Sequence, residues 1–373
     1  MKFTDDALRS LTFSSFFRAT ALLAAFYATK VDGQVQISAG NRHSCAYEPM
    51  SASLKCWGGN TNYQMNTGDA TTDQLTPIGV SFEGIALVGA EPGGWSTCGI
   101  SDGGVKCVGR NDYGQLGSGN NNNPISTATV MQTSSTKKVL KVSVGPLHSC
   151  LIYVGGGLVC TGRNDFGQLG LDDEENRNIL TDVNLSLSAT NVEVGYEFTC
   201  VIVVGDNNLL CMGNNNHGQL GLGDNIKRDT PSLVNLSDKT ASKLACGGYH
   251  ACIIDEDNLV WCWGWNGYGH LGVGHKDSVN SPTLVISEGS DAEEISAGYT
   301  NTCFIKIDLT VWCMGYNADG QLGNGKNVDS NTPVQVDFPV LVTPVGIALG
   351  DLHACVSTIY LNQIYCWGDG SKG

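Results

Sequence analysis

With 373 residues and a formal charge of −15, from 36 acidic against 21 basic side chains, the chain is a poor partner for nucleic-acid backbones and anionic membrane surfaces, which need clustered cations. Its 48 glycines and 15 cysteines point to dense turns and an oxidising compartment rather than to disorder or a reduced cytosolic protein.

The N-terminus sets the first expectation. Arg9 and Arg18 precede an uncharged apolar run from Ala19 to Ala28, which has the length of a signal-peptide core and is short for a bilayer span. Val31 and Gly33 occupy the −3 and −1 positions of a cleavage point after Gly33. Residues 1–33 therefore read as a signal peptide and 34–373 as one domain, extracellular or in the secretory pathway, with no membrane insertion after cleavage. Asp5 and Asp6 dilute the positive end, and an uncleaved anchor remains the alternative.

From Gln34 onward one unit of about 52 residues recurs seven times, the sequence signature of a repeat architecture. A first cysteine returns at Cys45, Cys98, Cys150, Cys200, Cys252, Cys303 and Cys355, and a second follows 9 to 11 residues later, at Cys56, Cys107, Cys160, Cys211, Cys262, Cys313 and Cys366. Before each pair a short apolar alternation ends in glycine (Gly40, Gly145, Gly195, Gly247, Gly298, Gly350), loosely so in the second unit. After it comes Cys-x-Gly, then GQLG at 114–117, 167–170, 218–221 and 320–323, with GHLG at 269–272 and a degenerate YQMN at 63–66. A final run such as TPIGV, TPSLV, SPTLV or TPVQV closes the unit. These are strand and turn signals, four strands per unit. The fold class they predict is all-β, a seven-bladed propeller of four-stranded antiparallel blades. Blades that pack face to face bury both faces, which accommodates Trp57, Trp263 and Trp367 beside the cysteines.

The strands on either side of the cysteine-bearing turn form a hairpin. Residues equidistant from the turn lie roughly 4.5 to 5.5 Å apart, within disulfide reach. Seven bonds are expected: Cys45–Cys56, Cys98–Cys107, Cys150–Cys160, Cys200–Cys211, Cys252–Cys262, Cys303–Cys313 and Cys355–Cys366. Cys246 is left over as a buried thiol. A metal role is disfavoured, because no Cys-x-x-Cys pair occurs and two thiolates cannot close a tetrahedral site. The acidic runs at 172–175 and 292–294 lack calcium-loop spacing and read as solvated loops. Glycan acceptors occur at Asn184 and Asn235, both between repeats.

His43, His148, His250 and His353 stand two residues before a cysteine, share its face and should be buried. Ser96, Phe198 and Asn301 replace them elsewhere, so they form no complete ring. We expect them to hydrogen-bond backbone between blades. GxSxG, HExxH and Walker patterns are missing, so no catalytic residues and no cofactor are expected. The candidate binding residues precede the GQLG turns: Tyr113, Phe166, His217, Tyr268 and Asp319. Symmetry puts them on one face around the axis, with Arg110 and Arg163 as neighbours and Trp265 near a strand end. Aromatic side chains on polar turns give contact area at low entropic cost.

Taken together, the pattern G..H(S/A)C…(V/L).CWG.N..GQLG…(T/S)P..V resembles the repeats of the regulator-of-chromosome-condensation family over about residues 34 to 370. It is most similar to the secreted, cysteine-bearing branch with beta-lactamase inhibitor protein II as a structural relative. The resemblance implies a seven-bladed propeller. The family's nuclear founder is an exchange factor for a small GTPase and binds chromatin. This chain departs from it in being acidic, without a basic tail and equipped for export. The leading expectation is a secreted, monomeric, non-enzymatic module that binds a protein or a surface glycan. The alternatives are a regulator of a small GTPase and a propeller-hosted hydrolase or lyase. One structural question stays open: no outer strand follows Cys366, so either residues before Gln34 supply one, or the last blade has three strands, or the chain is truncated.

Overall fold

The computed structural model describes residues 34–371, apart from 52, 69–71, 81–84, 90–93, 102–103, 133–137, 206–207, 287–290 and 360–362. The expected signal peptide, residues 1–33, lies outside the described residues. Val35–Gly373 makes one compact unit. It is a seven-bladed propeller whose sheets are antiparallel and whose strands follow chain order from the inner to the outer edge.

Blade 3 shows how sequence becomes blade. Its strands are Val139–Val144, His148–Tyr153, Leu158–Gly162 and Arg177–Asp182. The two middle strands are buried along their whole length, as sheets covered on both faces must be. Cys150 lies directly opposite Cys160, flanked by Leu151 opposite Val159 and Ser149 opposite Thr161. The same register recurs in every blade, and the seven cysteine pairs are disulfide-bonded with Cα atoms 4.1 to 4.2 Å apart. That is closer than the sequence reading assumed. Cys246 stands outside these bonds and is buried at the end of its inner strand.

The Cys-x-Gly column has a backbone cause. Gly162 sits at φ +112°, and a Cβ there would lie 2.5 Å from the Leu147 carbonyl oxygen. Its counterparts from Gly58 to Gly368 share this left-handed backbone. The kink breaks the ladder between the third and outer strands, as at Cys160/Gly162, and turns the chain out of the blade.

Seven hydrophobic clusters fill the seven interfaces between blades. The one between blades 3 and 4 joins Cys150, Cys160 and Leu169 to Val192, Val194 and Met212. Polar relays stitch the same interfaces. At blades 3 and 4 the Thr199 hydroxyl donates to the Gln168 carbonyl at 2.8 Å and lies 2.7 Å from His148 Nε2. The hydroxyl proton is committed, so His148 donates from Nε2. His43 with Thr97 and Gln64, and His250 with Thr302 and the His270 carbonyl, repeat this. The histidines therefore reach a hydroxyl of the next blade rather than backbone directly, a difference that arises because threonine fills the space between ring and carbonyl. Burial holds His43 and His148 down to about 3 and His353 to about 4, so all are neutral. In blades 5 and 7 the tryptophan after the second cysteine also links blades: Trp263 Nε1 donates to the Gln219 carbonyl at 3.0 Å, and Trp367 Nε1 to that of Gln321 at 2.8 Å.

Blade 7 is different. Its strands are Pro344–Leu349, His353–Thr358 and Ile364–Gly368, and among the described residues it has three strands where the other six blades have four.

Candidate functional site

The GQLG turns are rigid before they are functional. Asn111 is fully buried; its Oδ1 accepts the Leu116 amide at 2.9 Å and its Nδ2 donates to the Asn120 carbonyl at 2.9 Å. Asn164, Asn215, Asn266 and Asn317 do the same work in their blades. The glutamine of GQLG then fixes the residue two places before it: the amides of Tyr113, Phe166, His217 and Asp319 donate to Oε1 of Gln115, Gln168, Gln219 and Gln321 at 2.9 to 3.0 Å. Tyr113, Phe166, His217 and Asp319 are therefore displayed from pinned backbones.

Beside these turns lie the short loops between the inner-strand glycine and the histidine column, such as Tyr196–Glu197 and Gly248–Tyr249. They are tied to one another by backbone bonds between blades, for example Tyr196 N to Gly248 O at 3.1 Å. Their glycines allow this closeness: a Cβ on Gly298 would stand 2.3 Å from the Gly350 carbonyl oxygen.

The two loop sets bring aromatic rings together in a crescent. Tyr196, Tyr249 and Tyr299 form a triangle with centroids 5.6, 6.0 and 6.2 Å apart. His217 packs on Tyr249 at 5.5 Å and on Trp265 at 6.3 Å; Trp265 meets Tyr268 edge-on at 5.6 Å, and Tyr268 meets Tyr316 at 4.9 Å. At the other end the Arg163 guanidinium lies over Tyr113 and Phe166, 5.4 and 5.7 Å from their centroids. It pairs with Asp165 at 2.7 Å and with Glu197 at 3.0 Å. Arg110 covers Trp95 at 4.7 Å and pairs with Asp112. Asp319 is exposed; the Tyr316 phenol is raised by desolvation first and then by the charge of Asp319.

Sequence reasoning therefore named Tyr113, Phe166, His217, Tyr268, Arg110, Arg163 and Trp265 within the crescent. It missed Trp95, Tyr196, Glu197, Tyr249, Tyr299 and Tyr316. The signal that could have found most of these was the pair of positions between the inner-strand glycine and the histidine, where residue types vary from blade to blade.

Burial sets the electrostatics of this face. Burial, followed by the neighbouring Tyr299 and Glu197, pushes the Tyr249 phenol well up, and Tyr299 is raised for the same first reason. Asp351, near Tyr299, is pushed up to about 7 by desolvation, against the opposing pull of Arg42 and Asn41. No group of three or more histidine, cysteine or acidic side chains suited to a metal occurs among the described residues. The central channel, about 160 Å³, is walled by inner strands and includes Cys246. What the crescent offers is a fixed aromatic surface with a paired arginine at one end.

Pinned turns and stacked blades define a repeat β-propeller. The Regulator of chromosome condensation (RCC1) repeat matches at residues 102–152, 206–254, 257–305 and 310–357, and a second profile of that description matches at 139–168, 189–219 and 241–269. The chain belongs to the RCC1-repeat family. It is similar to the Ultraviolet-B receptor UVR8 of Arabidopsis thaliana, 30% identical over 345 residues, covering 90% of this chain and 77% of the receptor. Among solved structures, human WBSCR16 superposes with a TM-score of 0.76 at 21% identity, covering 87% of this chain and 86% of its own. Prp20p of Saccharomyces cerevisiae gives 0.75 at 18% identity, covering 90% and 82%. These two likenesses show the fold alone.

Proposed function

We propose that the protein is an exported, disulfide-stabilised, monomeric and non-enzymatic module that binds a protein partner through the ring-lined face of blades 2 to 6. The observation that carries this reading is the set of half-exposed rings from Tyr196 to Tyr316, in contact with one another and joined to Tyr113 and Phe166 through the Arg163–Glu197 ion pair. Pre-ordered tyrosine, tryptophan and arginine side chains are the residues that dominate protein interfaces, because little entropy is lost when they engage. Seven disulfides support an oxidising compartment. Asn184 and Asn235 are exposed, as glycan acceptors must be. No helix among the described residues is long and apolar enough to cross a membrane. The fold also serves protein binding elsewhere, since Prp20p binds Gsp1p and histones.

Two measurements test the proposal. Intact mass of the natively expressed chain, alkylated with and without reduction, should show a start near Gln34 and 14 protected cysteines; a full-length chain with alkylatable thiols throughout defeats the export reading. Affinity capture from the medium of expressing cells should recover a protein that the Tyr249→Ala/Trp265→Ala variant loses while its melting temperature stays within a few degrees. Capture that ignores the crescent, or a glycan array that lights up with no protein retained, overturns the protein-partner reading.

A further inference from the structure

The loops that follow the inner strands encircle the propeller axis. The central channel is walled by Ala39, Cys246, Ala297 and Leu349, and each of these precedes the glycine that opens such a loop. The loops are bonded to one another in turn: Tyr196 N to Gly248 O at 3.1 Å, Gly248 N to Gly298 O at 3.3 Å, and Asp351 N to Asn41 O at 3.3 Å. They therefore set Tyr196, Tyr249, Tyr299 and Asp351 around the channel mouth on a fixed frame. The three tyrosines are half-buried and in mutual contact. Asp351 acts on the Tyr299 phenol, which places it at the edge of their triangle. A cation seated over the triangle would lie within about 6 Å of every ring centroid, the range in which an aromatic ring attracts one.

The same molecule shows which cation fits such a place. Arg163 lies over Tyr113 and Phe166 and pairs with Asp165 and Glu197. Arg110 lies over Trp95 and pairs with Asp112. In both, a planar guanidinium is laid on rings while a carboxylate takes its N–H groups, a combination that an ammonium does not reproduce. The channel mouth has the rings and the carboxylate without the cation: among the described residues no arginine or lysine lies over Tyr196, Tyr249 or Tyr299. Glu197 is already engaged, its two oxygens accepting from Arg163 and Asn214. Asp351 differs, because its Oδ1 is buried and has no hydrogen-bond partner among the described residues. The exposed Arg42 acts on it, yet burial outweighs that pull and holds the carboxyl up at about 7. A carboxylate desolvated in this way is stabilised by a cation that reaches it.

We propose that the channel mouth seats an arginine side chain of the protein partner, its guanidinium laid over Tyr196, Tyr249 and Tyr299 and its N–H groups donated to Asp351. This rests on the protein-binding reading of the ring-lined face and names the group that the face selects. The formal charge of −15 draws a basic segment toward the propeller by long-range attraction. Arginine is also among the residues that carry most of an interface's binding energy when neighbouring rings seal it from water.

The test needs no partner. Nα-acetyl-arginine methylamide is titrated into the whole protein at pH 8, where Asp351 is largely ionised, and the labelled tyrosine rings are followed by NMR. Saturable shifts of Tyr196, Tyr249 and Tyr299 are expected, with a Kd of about 1–10 mM. The citrulline analogue keeps the shape and loses the charge, and it should bind about tenfold more weakly; so should the lysine analogue, which loses the planar fork. Neither comparison alters the protein. Asp351→Asn should weaken the arginine compound about tenfold, with the ring spectrum of the free variant showing that it is folded. The inference is overturned if citrulline or lysine binds as well as arginine, if Asp351→Asn has no effect, or if no shift appears at about 50 mM. A partner captured through Tyr249 and Trp265 but indifferent to Asp351→Asn overturns it too, and leaves the protein-binding reading intact. Capture that fails while the arginine compound still binds overturns that reading instead and leaves the arginine site standing.

Discussion

A single histidine shows how far residue-level reading reached. The position of His148 two residues before Cys150 placed it inside the blade, and it is fully buried. Its partner Thr199 is 51 residues away along the chain, and nothing in one repeat reveals what its neighbour holds across an interface. The same limit hid Tyr196, Tyr249 and Tyr299, whose meaning lies in their meeting rather than in any shared identity. The neutral ring has a testable consequence. Its folded value of about 3 lies below the usual value near 6.5, so below pH 6.5 the unfolded chain binds a proton that the folded chain refuses. Stability is full above that pH and falls as pH drops from about 6.5 toward 3. Blade 4 has Phe198 in this column, also fully buried, so the site accepts a phenyl ring. His148→Phe should therefore fold, and its melting temperature should fall less steeply than the parent's between pH 6.5 and 4 in a calorimetric series. Parallel slopes for parent and variant would show that the ring is not protonated on unfolding in this way. Trp263, fully buried and bonded to the Gln219 carbonyl, belongs at the same scale. Trp263→Ala should cost ~4 kcal/mol in denaturant titration.

At the scale of the element, the hairpins were the most legible part of the fold. Cysteine spacings of 9 to 11 fix both register and pairing, because only one alignment puts each pair directly opposite. Strand number was legible in blades 1 to 6, where turn chemistry marks the boundaries, while the last blade was left open. What spacing does not show is which bond solvent can reach. Thiol–disulfide exchange needs approach of a thiolate to sulfur, and six of the second cysteines are sealed between blades while Cys366 is open. Under mild dithiothreitol at neutral pH, Cys355–Cys366 should be reduced first. Alkylation followed by peptide mapping should label those two cysteines well before any other, by an order of magnitude in rate or more. Labelling spread evenly over the seven pairs would mean that the blades open as a whole before any sulfur reacts.

The propeller is a ring, and a ring is as firm as its weakest interface. The number seven followed from counting repeats, but the quality of closure did not, because it depends on contacts between the two ends of the sequence. Between blades 5 and 6 the buried cluster includes Ile254, Val260, Leu271, Phe304 and Met314 among thirteen residues. Between blades 7 and 1 the buried cluster among the described residues is Val35, Ala46, Trp57 and Cys355, with Ile37 and Ile364 partly buried against it. Apolar burial is worth roughly 25 cal/mol per Å², so this seam contributes a small share of the stability that the others do. Polar contacts also hold it: the His353–Ser44 bond at 2.7 Å and the Asp351 N to Asn41 O bond at 3.3 Å. Opening should therefore begin there, as a sub-global event below the global unfolding free energy. Amide exchange under rising denaturant should lose protection in Gln36–Ala39 and His353–Thr358 before His250–Asp255 or Asn301–Lys306. Joining the seam by an engineered disulfide across blades 7 and 1 should raise the melting temperature by several degrees, more than an equivalent bond placed between blades 5 and 6. Equal gains at the two places would show that the ring unfolds cooperatively from every interface at once, and that the thin cluster is not where it first gives way.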